Sequence, residues 1–302
     1  MNKPMWVDLQ VNGHNGVDYS SPELTADEII RSAEELYNSG TEIFLPTIVT
    51  SSDELYRRNL PLIKNTVEKY GIGKNIPGIH MEGPMLTVKG SHNPEYIQPC
   101  SADKIQEYFD ISNGFIKLMT LSADAENAEL AIKKAKELGV VVGLGHHEAN
   151  YSQVAMAASV GASVLTHLGN ACPNMVGRHE NPLLSGLAED SLSAMIITDG
   201  HHLPAELIKI ILKVKGSKKV IVTSDACSLC GSKPGRYQLW GNDAVLEVNG
   251  KLHNPSKNCL VAAAATLSMC MDFLTSLDIL SNEELLDVGR NNALKLLGLG
   301  EK

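Results

Sequence analysis

The sequence predicts a (β/α)8 TIM barrel, an α/β fold, on three observations. Eight short apolar runs alternate with helical periods almost from the first residue. Several of those runs end in a compact polar signature, the arrangement by which a parallel barrel gathers distant residues at one rim. The chain of 302 residues is also long enough for such a barrel, which typically takes about 250. The expected strands are Trp6–Val11, Ile43–Val49, Ile76–Met81, Phe115–Leu121, Val140–Leu144, Ser163–Leu168, Ala194–Thr198 and Val220–Thr223. A count of eight favours a closed barrel over an open sheet.

The helices between them carry start and stop signals. Thr25-Ala26-Asp27-Glu28 reads as a capping box, and its helix should stop at Gly40, where a left-handed residue costs little. Ser51–Glu54 and Ser281–Glu284 repeat the box. A helix over Glu126–Leu138 should end at Gly139, and Pro204 suits the first turn of a helix running through Val214, where its missing N–H is not needed. Tyr237–Leu252 breaks the alternation and reads as a β-hairpin inserted after the eighth strand, with Gly241-Asn242 and Asn249-Gly250 as turn dipeptides. Helices over about 264–277 and 282–297 follow. No linker or internal repeat interrupts the pattern, so residues 1–302 are expected to form one domain.

Composition narrows the function classes. The formal net charge of -9 argues against nucleic acid or an anionic membrane as partner. No apolar run suits a membrane span, and Met1-Asn2-Lys3-Pro4 does not begin a signal peptide. Six cysteines without tight framework spacing read as reduced thiols of a cytoplasmic protein. A nicotinamide-binding fold lacks its Gly-x-Gly-x-x-Gly turn after the first strand.

The polar signatures carry the chemistry. They are His80-Met81-Glu82-Gly83-Pro84, Gly143-Leu144-Gly145-His146, Leu165-Thr166-His167-Leu168 and Val222-Thr223-Ser224-Asp225. A hydrolytic metal centre takes about three protein ligands and an open position for water. Glu82, His146 and His167 supply such ligands from strand ends. Each alone has a plainer reading: a histidine after a strand is more often a hydrogen-bonded loop residue, and Glu82 before Gly-Pro could cap a turn. Their joint placement at one rim favours the metal. Asp225 ends the eighth strand, where a carboxylate can take a proton from the attacking water and pass it to a leaving amine; its plainer readings are a cap or an ion-pair partner. A carboxylate with two imidazoles suits zinc first, and iron, manganese or cobalt as well.

At these residues the chain resembles the N-acetylglucosamine-6-phosphate deacetylases of the amidohydrolase superfamily, in order from about Val7 to the last helix. Asp8-Leu9-Gln10-Val11-Asn12-Gly13 and Leu45-Pro46-Thr47 are similar to the first two strand segments of that family. His80–Pro84 with Gly90-Ser91-His92-Asn93-Pro94, Gly145-His146, and Thr166-His167-Leu168-Gly169-Asn170-Ala171 are similar to its ligand segments. Gly177-Arg178 and Asp199-Gly200-His201-His202 resemble its phosphate segments, and Thr223-Ser224-Asp225-Ala226 its catalytic aspartate. The resemblance implies deacetylation of N-acetylglucosamine 6-phosphate on one divalent metal held by Glu82, His146 and His167. It implies Asp225 as general base and then acid, His92 polarising the acetyl carbonyl, and Asn170, Ala171, Arg178 and His202 on the phosphate. In related dimers part of that phosphate grip comes from the neighbouring subunit, which implies a homodimer. Gln10-Val11-Asn12 stands where many amidohydrolases carry His-x-His and bind two metals, which favours a single ion.

The chain departs from the family at several places. It predicts a short form without the usual β-sandwich, because the first strand begins within ten residues of the start and no counterpart of the closing segment follows Leu299. Ala262-Ala263-Ala264-Ala265 replaces a Gly-Ser-rich segment, and Gly169 and Cys172 replace larger residues. These changes leave open another N-acetylamino sugar phosphate, such as N-acetylgalactosamine 6-phosphate, another N-acyl compound, or a non-catalytic sugar-phosphate-binding barrel. Cys227-Ser228-Leu229-Cys230 lacks the partner pair or context of a zinc or redox motif. His14, His147, His179 and His201 flank motifs and could line the pocket; His253 and His80 read as structural.

Overall fold

Parallel strands run in chain order around a barrel in a computed structural model that describes residues 5–173 and 175–300. The strands are Trp6–Val11, Thr41–Val49, Ile79–Glu82, Ile116–Leu121, Val141–Leu144, Ala162–Leu165, Ser193–Ile196 and Val220–Val222, each hydrogen-bonded to the next in one eight-stranded sheet. The seam between the last strand and the first is closed by a bridge between Val11 and Ala226. Buried Asp8 reinforces it: its carboxylate accepts from the Thr223 hydroxyl at 2.7 Å, the Ser224 hydroxyl at 2.5 Å and the Ser224 N–H at 3.1 Å. The third strand starts later than expected and includes Glu82, so this residue is held by sheet pairing to Thr120. The reading at Met1–Pro4 lies outside the described residues; among those described, no helix is long and apolar enough to cross a membrane.

The helices follow most of the predicted signals. Both capping boxes at Thr25 and Ser281 form, on α1 (Ala26–Asn38) and α9 (Asn282–Leu286). The box expected at Ser51–Glu54 does not. The cap of α2 (Asp53–Tyr70) is Ser52, accepting from the Leu55 N–H at 3.2 Å, while the Ser51 hydroxyl donates to the Val49 carbonyl at 2.8 Å. Two adjacent serines offered two caps, and Ser51 is taken by the strand end. Pro204 is the N-cap of α7 (Ala205–Lys215) rather than a residue of its first turn. The last expected helix is broken into α9 and α10 (Asn292–Leu296) by a π-helical turn over Asp287–Asn291.

The insertion after the eighth strand is larger than a hairpin. It is a four-stranded antiparallel meander of Gly235–Leu239, Asn242–Leu246, Leu252–Asn254 and Cys259–Leu260. The last two strands are too short to leave a periodic signal. Its first turn lies at Trp240-Gly241, both left-handed with φ of 50° and 74°, one residue earlier than the sequence suggests.

Inside the barrel the period-two alternation of strands sets layers. Val7, Leu9, Leu45, Leu118, Val164, Met195 and Ile221 form a buried apolar plug, with Ala293 of α10 packed on it. Two residues further along, Thr47, His80, Thr120 and Thr166 make a hydrogen-bonded layer. His80 Nδ1 lies 3.3 Å from the Thr47 hydroxyl and Nε2 2.8 Å from that of Thr120, which is 2.8 Å from that of Thr166. Burial pushes the His80 pKa down to about 4, so the ring serves as a neutral spacer. The next inward positions reach the rim.

This polar layer leaves no room beside it. A Cβ on Gly143 would stand 2.5 Å from Thr166 Oγ1, a stiff β-branched side chain already hydrogen-bonded. Gly143→Ala should therefore destabilise the protein by about 1–3 kcal/mol through overpacking. The check is a lower urea midpoint with unchanged slope.

Candidate metal and catalytic site

Four expected side chains converge because each continues the inward face of its strand or stands just beyond its end. Glu82 ends the third strand, and His146, His167 and Asp225 stand in the turns after the fifth, sixth and eighth. Those last three have left-handed backbones, with φ of 54°, 31° and 55°. Non-glycine residues rarely adopt that region, and they persist there only where the surroundings hold them. The turn in each case swings the side chain over the barrel axis.

The donor atoms of Glu82, His146 and His167 lie within 4.8 Å of one another, and all three residues are buried. Glu82 Oε1 is 2.8 Å from His167 Nε2 and 3.2 Å from His146 Nε2. His146 Nδ1 is 2.9 Å from the Val88 carbonyl. A carbonyl only accepts, so Nδ1 carries the proton, and in the neutral ring Nε2 presents a lone pair to the carboxylate. Two acceptors at that distance need a cation or a proton between them. A metal-binding histidine commonly donates its other N–H in this way. One carboxylate oxygen and two imidazole nitrogens, buried and converging, therefore fit a divalent transition metal.

The electrostatics agree with that fit. Burial pushes the Glu82 pKa up, but hydrogen bonds to His146 and His167 outweigh it and hold the carboxyl well below its usual range. Burial works against the charged form of His167, and Glu82 more than reverses this. Asp225 behaves differently: burial and then the charge of Glu82 raise it to about 7. A carboxylate and a second carboxyl poised near neutrality in one site is a common division between an electrostatic group and a proton carrier.

His92 completes the group. Its Nδ1 accepts from the Thr50 backbone N–H at 3.3 Å, so the neutral ring carries its proton on Nε2. Burial, then the neighbouring His146, push its pKa down to about 3. Nε2 lies 3.3 Å from His146 Nε2 and 3.8 Å from Glu82 Oε2. The side chain is therefore a neutral N–H donor directed into the site.

These residues line one cavity of about 270 Å³, together with Asn170, Ala171 and His202, and with Trp240, Leu260 and Ala262 of the meander and the segment after it. Arg178 is not brought into it; it is exposed in the loop after the sixth strand. None of His14, His147, His179 or His201 is among the lining residues. His253 pairs with Glu247 at 2.9 Å in the meander. Cys227 and Cys230 are buried free thiols, and burial pushes Cys230 up to about 12, far from a reactive thiolate.

Three features were not assigned from sequence. Gln10 Nε2 and Asn12 Nδ2 both donate to Asp225 Oδ1, at 2.9 and 2.7 Å. Their spacing was visible, but their target across the barrel seam was not. Asp199 Oδ2 meets His202 Nδ1 at 2.8 Å, and its Oδ1 accepts the N–H groups of His201 and His202. An aspartate three residues before a histidine is the one local signal for that pair. Trp240 Nε1 donates to Asp18 Oδ2 at 2.9 Å, fixing the indole on the cavity wall.

Known proteins resemble the chain over nearly its whole length. No protein-family model matches the chain. The N-acetylglucosamine-6-phosphate deacetylase of Bacillus subtilis (strain 168) is 26% identical over 304 residues, covering 99% of this chain and 76% of the relative. The N-acetylgalactosamine-6-phosphate deacetylase of Escherichia coli O157:H7 is 25% identical, covering 98% and 78%. The crystal structure of N-acetylglucosamine-6-phosphate deacetylase from Pasteurella multocida superposes with a TM-score of 0.88 at 29% identity, over 98% of this chain and 76% of that one. The similarity therefore runs along nearly the whole sequence and the whole barrel.

The Asp199–His202 pair makes a prediction about pH. Burial raises the Asp199 carboxyl, but the His202 hydrogen bond and charge and the two backbone N–H groups bring it down to about 2 from 3.8. A depressed folded pKa adds stability that is present above the unfolded value and lost as pH falls through the folded one. Asp199→Asn should flatten the fall in stability between about pH 4 and pH 2, read from denaturant midpoints across that range.

Proposed function

We infer that the chain is a metal-dependent amidohydrolase of the N-acetylglucosamine-6-phosphate deacetylase kind, releasing acetate and glucosamine 6-phosphate. The observation that carries this reading is the buried Glu82–His146–His167 group facing Asp225 in one cavity, on a barrel whose relatives bear that name over nearly its full length.

Glu82, His146 and His167 would hold one divalent ion, zinc in the first instance, with iron, manganese and cobalt suited to the same donors. Bound there, the ion would supply Lewis acidity, lowering a water's pKa to about 7 in favourable zinc sites and polarising the acetyl carbonyl. Every other step falls to the chain. Asp225 takes the proton of the attacking water and returns it to the leaving nitrogen. Gln10 and Asn12 occupy its Oδ1, which leaves Oδ2 for the proton. His92, fixed as an Nε2–H donor by Thr50, stabilises the oxygen on which negative charge develops. Asn170, Ala171 and His202 would take the phosphate, with Asp199 orienting the His202 ring.

Arg178 would join this grip only across a subunit interface. It is exposed, in a loop that would reach the phosphate pocket of a second copy. A homodimer would then complete each site. The six cysteines, all free, and a phosphorylated substrate suit the reducing cytoplasm. No second domain is needed for the chemistry, since Glu82, His92, His146, His167 and Asp225 all come from one barrel. The Escherichia coli relative and the small Gly169 and Ala262 at the wall keep the galacto epimer as the second reading. A panel of both sugars, with and without phosphate, separates them; a non-catalytic binder would release no acetate from any.

Asp225→Asn, at equal metal content, should lower acetate release about 10²–10⁴-fold while leaving substrate binding in place. Turnover at the parent rate would remove Asp225 from the mechanism. Arg178→Ala should raise KM for the phosphorylated sugar. Mixed with Asp225→Asn, it should regain activity, because a mixed dimer holds one site with both groups intact. Additive loss on mixing would show that Arg178 serves its own subunit or none.

A further inference from the structure

The loop over residues 88–92 carries two pieces of the site. At one end the Val88 carbonyl lies 2.9 Å from His146 Nδ1, and the Val88 N–H donates to the His146 carbonyl at 2.7 Å. At the other end stands His92, whose ring is held at Nδ1 by the Thr50 N–H at 3.3 Å. One long hydrogen bond is a weak hold on a ring unless the backbone beneath it is fixed. The peptide group that leads into His92 is gripped on both sides. Its N–H donates to the Lys89 carbonyl at 2.8 Å, and its carbonyl, that of Ser91, accepts from Asn242 Nδ2 at 2.7 Å.

Asn242 belongs to the second strand of the meander, is 3% exposed, and is not among the residues lining the reaction cavity. Both ends of its amide are engaged. Nδ2 also donates to the Trp240 carbonyl at 3.2 Å, and Oδ1 accepts from Lys257 Nζ at 2.5 Å. An ammonium only donates, so the amide oxygen must face Lys257 and the two N–H groups must face the two carbonyls. One amide therefore ties the peptide before His92 to the turn that places Trp240 on the cavity wall. The Trp240 indole is anchored in turn to Asp18 at 2.9 Å.

We propose that Asn242 is a positioning residue for the reaction, acting from the meander through His92. The inference rests on the deacetylase reading above, in which the His92 Nε2–H meets the oxygen that becomes negative. Such a donor is useful only where the charge appears, and a displacement of about 1 Å can cost as much as 10²-fold in rate. The Thr50 bond sets which nitrogen carries the proton, and the Asn242 bond sets where the ring stands. The insertion is thereby part of the catalytic apparatus and not only a wall of the cavity.

The test follows acetate release from N-acetylglucosamine 6-phosphate at matched metal content. Asn242→Asp keeps the size and the Lys257 partner but turns an oxygen toward two carbonyl oxygens. It should lower kcat about tenfold and leave KM within about twofold, since the contacts of the substrate itself are untouched. In a His92→Ala background it should add no further fall, because the group it acts through is gone. Asn242→Ala removes the grip without the repulsion and should show the same dependence on His92, which carries the test should Asn242→Asp fail to fold. A parent kcat in both Asn242 variants overturns the inference, as does a change confined to KM. So does an equal fall with and without His92, which is what a merely structural role would give. In each of these cases the parent is active and the deacetylase reading stands. No acetate from the parent overturns that reading, and His92→Ala at the parent rate removes His92 from the mechanism; the inference falls with either.

Discussion

A buried carboxylate facing a lone pair governs this site. Glu82 Oε1 lies 3.2 Å from His146 Nε2, whose ring already gives its other proton to the Val88 carbonyl. Neither group can move to water, since both residues are about 95% or more buried. Leaving two such acceptors opposed without a cation costs the full electrostatic penalty of a low-dielectric interior. His167 relieves part of it through a 2.8 Å contact with the same oxygen. A divalent ion bound among Glu82, His146 and His167 would relieve the remainder.

The barrel prepares that opposition in layers. The apolar plug from Val7 to Ile221 fills the lower interior. Thr47, His80, Thr120 and Thr166 then satisfy one another above it. A satisfied polar layer is rigid, and it stands two residues before Glu82 and one before His167. Glu82 and His167 therefore inherit their positions from sheet register and from short hydrogen bonds beneath them. The meander adds the opposite wall and closes the site with Trp240, which reaches back to Asp18 near the first strand.

Much of this was legible because strand alternation and strand-end motifs are local signals. All eight strands and the three ligand-type residues with Asp225 follow from runs of a few residues each. What escaped the sequence was non-local or competitive. The role of Gln10 and Asn12 depends on a contact 213–215 residues away in the chain. The cap of α2 turned on which of two serines the preceding strand would claim. The meander's last strands were too short for periodicity, and Arg178 lies exposed in its loop, outside the cavity. Asp8 was visible in a motif, yet its work at the seam appears only when the first and eighth strands meet.

The amide pair on the first strand also bears on how many ions the site can take. Gln10 and Asn12 direct their N–H groups to Asp225 Oδ1, the oxygen a second cation near that strand would claim. An amide oxygen is a poor substitute for imidazole toward a borderline metal. Two N–H donors, by contrast, are suited to a carboxyl that must alternate between charged and neutral forms. The Asn12 bond stabilises the charged form and offsets part of the burial that raises Asp225 to about 7, and the pair fixes which oxygen remains free. Gln-x-Asn on the first strand thus gives Asp225 two N–H donors and offers no imidazole to a second ion. In the function proposed above, one ion and one carboxyl near neutrality would be enough for amide hydrolysis.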